Sequence, residues 1–111
     1  MPTSAQLLAL YKQILATSQQ MLALAQAGEW DELVDHELAR RKIVGELRLA
    51  LESGPNPLSD TERAQSETQI REILALDAET RTLAEGWMRE LDTRLQSVNT
   101  SRRLQNTYLA P

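Results

Sequence analysis

An all-α fold is predicted for this chain: a small antiparallel bundle of three long helices plus a short C-terminal helix, in one domain spanning residues 1–111. Three observations predict it. Phe is absent, Gly and Pro number four each, and Leu and Ala dominate, a composition that suits helices where a sheet would want more β-branched and aromatic residues. Apolar residues recur at three- and four-residue steps through most of the chain. The clearest break is Ser53-Gly54-Pro55-Asn56-Pro57, where two prolines and a glycine cannot continue a helix. A chain this short buries a modest core, and association often supplements such cores.

The first helix is expected over residues 4–27. Leu7, Tyr11, Ile14, Ser18, Met21 and Ala25 follow one another at alternating four- and three-residue steps along one seam. Leu8, Leu15 and Leu22 form a second row, and Lys12 is the only charged residue before Glu29. Such a helix should be covered on more than one side and stand centrally. Gly28 suits its end, because glycine takes the left-handed conformation without steric cost.

The second helix is expected over residues 30–53, with Glu29, Asp31 and Glu32 set against its positive N-terminus. Its stripe is Trp30, Leu33, Glu37, Arg40 or Arg41, Val44, Leu47 and Leu51. Glu37 and Arg41 are spaced for a helical ion pair, which serves either as surface decoration or as a polar layer fixing register between helices. Ser59-Asp60-Thr61-Glu62 then reads as a capping box with Leu58 at the staple position, starting a third helix near Asp60.

Ile70, Ile73, Leu74, Leu83, Ala84, Trp87, Met88, Leu91, Leu95 and Val98 keep helical spacing, so the third helix is expected over residues 60–98. Asn99-Thr100-Ser101 is its expected stop, followed by a short helix over residues 102–109 with Leu104, Tyr108 and Leu109 on its apolar side. No acidic residue occurs after Asp92, whereas Arg94, Arg102 and Arg103 make the tail basic.

Length adds a further expectation. At 1.5 Å per residue the second helix spans about 36 Å and the third about 60 Å. The loop at 54–58 makes them antiparallel neighbours, with Arg41 near Arg71, Glu37 near Leu74–Asp77 and Trp30 near Leu83. Beyond Ala84 the third helix then outruns the hairpin of the first two while still carrying Trp87, Met88, Leu91, Leu95 and Val98. Either the helix bends near Gly86 and this stripe completes the core, or the C-terminal segment, a second copy or another protein covers it.

Chemistry is not apparent in the residues. His36 is the only histidine, Cys is absent, and no Gly-rich phosphate loop occurs, so no catalytic, cofactor-binding or metal-ligating set is expected. His36 reads as an exposed helix residue. A net charge of −4 argues against nucleic acid as partner. No apolar run is long enough for membrane insertion, and the N-terminus lacks a signal peptide's basic region, so the chain is expected in the cytoplasm. Asn99-Thr100-Ser101 matches a glycosylation sequon by chance.

The pattern of an apolar first helix, then Gly28-Glu29-Trp30-Asp31-Glu32-Leu33, then Glu37 and Arg41, resembles the flagellar export chaperone family FliT. Ile73-Leu74-Ala75-Leu76-Asp77, Thr82-Leu83 and Met88-Arg89-Glu90-Leu91 are similar to that family's third helix, and Arg103 with Tyr108 to its basic tail. The resemblance implies a cytoplasmic helical bundle serving flagellar type III export. It also implies a client, the C-terminal region of the filament-cap protein FliD, which the chaperone keeps from assembling early and guides to the export apparatus. In some members a C-terminal helix masks the binding surface.

Leu83, Trp87, Met88 and Leu91 are the expected partner-binding residues, Leu104 and Tyr108 the expected masking tail, and Glu37 with Arg41 the expected structural pair. Two other readings stay open: a structural bundle or coiled-coil homodimer without a client, and an export chaperone for hook–filament junction proteins.

Overall fold

The computed structural model describes residues 1–108, with side chains through Thr107. Its described residues form helices only: α1 (Ser4–Ala27), α2 (Trp30–Glu52) and α3 (Asp60–Tyr108). Backbone contacts divide the chain into two compact units, Met1–Thr80 and Arg81–Pro111.

Local chemistry sets the ends of α1. The Thr3 hydroxyl accepts from the Gln6 N–H at 3.2 Å, and the Thr3 N–H donates to Gln6 Oε1 at 2.8 Å, a reciprocal capping box. At the other end Gly28 has φ 74°, its N–H donates to the Ala25 carbonyl at 3.1 Å, and the Glu29 N–H donates to the Leu24 carbonyl at 2.9 Å. This is a Schellman closure, which satisfies carbonyls the helix leaves open. A Cβ at Gly28 would meet nothing within 4 Å, so the glycine is there for its backbone angle.

The Gly28 turn folds α2 back against α1 as a hairpin. All six seam positions, Leu7, Tyr11, Ile14, Ser18, Met21 and Ala25, are buried, and α2 has no buried residue at all. The asymmetry follows from charge: α1 carries almost none and can be covered on several sides, whereas α2 must keep a face for its charged residues. Burial also raises the pKa of the Tyr11 hydroxyl above its usual 10.0.

Leu58 closes one end of this unit. Its N–H donates to Asn56 Oδ1 at 3.0 Å, and its side chain packs with Leu7 and Tyr11, flanked by Leu8, Leu47 and Ala50. The capping box forms as expected at the start of α3. Glu62 N–H donates to Ser59 Oγ at 3.1 Å, and Ser59 N–H donates to Glu62 Oε1 at 2.9 Å.

A polar junction joins the helices of this unit. Ser18 Oγ donates to the Ile14 carbonyl at 2.7 Å. Arg40 Nη1 donates to that same Ser18 oxygen at 2.8 Å and to Asp77 Oδ1 at 2.6 Å. One guanidinium from α2 thus ties α1 to α3. The Asp77 partner is Arg40, about one turn further along α2 than the residue count placed it.

Three expectations are corrected. Asn99-Thr100-Ser101 does not stop α3, which runs through these residues and through Gly86 to Tyr108, so no separate short helix over 102–109 is formed. Asn, Thr and Ser disfavour a helix interior by less than about 1 kcal/mol each, and no Gly or Pro accompanies them. Hydroxyls here also bond back into the helix, as Thr107 Oγ1 does to the Arg103 carbonyl at 2.8 Å. Second, Leu51 lies exposed near the end of α2. Third, His36 is half-buried, with Nδ1 2.8 Å from the Glu32 carbonyl oxygen. Leu109, and the side chain of Tyr108 assigned to the tail, lie outside the described residues.

Candidate partner-binding surface

The polarity of α3 runs against its exposure. Between Asp60 and Thr80 its buried residues are Ser66 and Thr80, beside half-buried Gln69, Ile73, Leu76 and Asp77. From Leu83 onward the large apolar side chains are exposed: Leu83, Trp87, Met88, Leu91, Leu95 and Val98, from 38% at Leu83 to 59% at Met88. Ile70 and Leu74, counted in the same run, are also exposed. Exposed apolar side chains scattered singly are ordinary, but a continuous row is unusual on a protein without a partner.

The row is ordered by helical geometry. Ala84, Met88, Leu91, Leu95 and Val98 are spaced four, three, four and three, and Trp87 lies four before Leu91. At about 100° per residue these side chains share one face. The four expected binding residues, Leu83, Trp87, Met88 and Leu91, fall together on or beside it. Among the described residues, the unit from Arg81 contains this one helical segment and no second element of its own to cover the row.

Of the two expected masking residues, Leu104 is not brought to this face. Leu104 lies thirteen residues beyond Leu91 on the same helix, about 20 Å along its axis, and is itself 53% exposed. It also points roughly 130° away from the row. The Glu37–Arg41 pair forms, with Arg41 Nη2 at 2.8 and 2.9 Å from the two carboxylate oxygens, on the outside of α2. The helix-joining contact belongs to the neighbouring Arg40 instead. Helical spacing allows either arginine, and only the packed hairpin shows which one turns inward.

Among the described residues no group of His, Cys, Asp and Glu is placed to hold a metal ion. No described helix is long and apolar enough to cross a membrane. The arrangement offers an apolar helical face, a surface suited to another helix.

Comparison with known proteins agrees on one family. The family model described as "Flagellar protein FliT" matches residues 8–110. A protein named Flagellar protein FliT from Photorhabdus laumondii subsp. laumondii is 32% identical over 102 residues, covering 92% of this chain and 80% of that protein. No solved structure matches.

Proposed function

This chain belongs to the FliT family of flagellar proteins, and on that premise we propose that it is a cytoplasmic flagellar type III export chaperone. Its client is the C-terminal region of the filament-cap protein, which it keeps from assembling prematurely and brings to the export apparatus. The observation that carries this reading is the exposed row Leu83–Val98 on a helix whose buried positions include Ser66 and Thr80. An amphipathic client helix laid along that face would cover it. Trp87 supplies a large rigid anchor and Met88 an adaptable contact.

The test is calorimetric titration of the full-length protein with the C-terminal region of the cap protein from the same organism. One-to-one binding is expected, weakened by more than about 1 kcal/mol in Trp87→Ala. That variant should keep its helical circular dichroism, because Trp87 is 39% exposed. Normal binding by the folded variant would remove Trp87 from the client surface.

The tail is proposed as a competitor for the same face. For this, residues after Asn99 leave α3 and fold back, so that Leu104 and Tyr108 occupy the positions a client would take. Truncation after Arg103, which removes Leu104 and Tyr108, is expected to leave the protein folded and to tighten client binding. Unchanged affinity with lowered thermal stability would instead make the tail a structural part of α3. The four–three spacing of the row also suits a second copy of this chain. A dimer that persists on dilution and does not bind the cap protein would favour that structural reading.

A further inference from the structure

We infer that the helix received by this face carries side-chain carboxylates opposite Arg94 and Arg102; the inference rests on the client reading above. All 16 acidic residues lie at or before Asp92, and from Thr93 onward the only charged residues are Arg94, Arg102 and Arg103. Two of these three are in line with the apolar row. Arg102 follows Val98 by four, Leu95 by seven and Leu91 by eleven, while Arg94 lies three after Leu91 and four before Val98. The third is not. Arg103 lies on the polar side, beside Gln96, Asn99 and Thr100, about 120° from the middle of the row.

Among the described residues nothing accounts for Arg102. Arg94 reaches Glu90 Oε1 at 3.1 Å in an exposed pair, but no ion pair among the described residues includes Arg102. The helix dipole is not the reason either, because the last turn of α3 contains no basic residue. A helix lying on an anionic lipid surface places its cations along the polar face. Here an arginine stands on the apolar line itself. A partner helix seated on Leu91, Leu95 and Val98 continues past Arg102, and a carboxylate there makes a charge-assisted hydrogen bond partly shielded from water.

The experiment compares Arg102→Gln with Arg103→Gln in the full-length protein, titrated with the C-terminal region of the cap protein at low and at high NaCl. Both changes remove one positive charge, keep good helix propensity and are checked by circular dichroism. Arg102→Gln is expected to weaken binding about fivefold or more at low salt and to flatten the salt dependence. Arg103→Gln should stay within about twofold of the native protein. Equal effects of the two variants, or a salt-independent native affinity, overturn the inference while leaving the client reading intact if Trp87→Ala still weakens binding. No binding by the native protein overturns both. Co-sedimentation with phosphatidylserine vesicles forms a second arm. Vesicle binding that depends on Arg102, with client affinity unchanged by Arg102→Gln, would assign this arginine to a lipid surface and overturn the inference.

Discussion

Leu7→Ala is expected to lower the unfolding free energy by about 3 kcal/mol, within the usual range for emptying a buried leucine site. Leu7 is 0% exposed and packs with Tyr11 and Leu58, flanked by Leu8, Leu47 and Ala50. These neighbours come from α1, α2 and the segment leading into α3, so the cavity opens where three parts of the chain converge and no single side chain can move in to fill it. Small domains have total stabilities of only about 5–15 kcal/mol. The loss would therefore appear as a clear fall in the urea midpoint of the helical circular dichroism signal. A change below about 0.5 kcal/mol would mean that these parts do not meet around Leu7.

Arg40→Ala comes next, with an expected loss of about 2 kcal/mol, typical of a hydrogen bond to a charged partner shielded from water. The side chains of Arg40 and Asp77 are only 16% and 28% exposed, and their contact is 2.6 Å. Removing the guanidinium strands the Asp77 carboxylate, while Ser18 keeps its bond to the Ile14 carbonyl. The double-mutant cycle with Asp77→Ala isolates the cross-helix pair, and a coupling of about 1 kcal/mol is expected. Additive losses would show that the pair joins the helices in geometry only. Arg41→Ala is the internal control, because its contact to Glu37 stays within α2 and is solvent-screened.

The sequence makes the hairpin legible because its determinants are local. Leu7 to Ala25 are spaced as a seam in a stretch with one charge, so burial on several sides is the only stable arrangement. The Pro55–Pro57 segment stops a helix by backbone sterics, and Gly28 takes without steric cost the left-handed angle that closes α1. Asn99-Thr100-Ser101 is different in kind. Its residues disfavour a helix weakly, and a weak preference yields when the flanking helix already supplies hydrogen bonds. The choice between Arg40 and Arg41 was not readable for another reason. Adjacent residues differ by about 100° around a helix, and the phase of α2 is set by packing against α1 rather than by its own pattern. The apolar row from Leu83 to Val98 was visible as a pattern, but its exposure was not, since periodicity reports which residues share a face and not what lies against it.

That exposure has a thermodynamic corollary for the helix that bears it. From Met88 to Thr107 every residue is exposed, so this stretch is held by backbone propensity and local contacts such as the Glu90–Arg94 pair. Helices without tertiary cover are marginal in water and fray readily. Docking a partner there both covers apolar area and suppresses fraying, so association is coupled to local ordering. The measured affinity then reports contact energy less the cost of ordering, and substitutions that raise helix propensity on the solvent side would tighten binding without touching the partner.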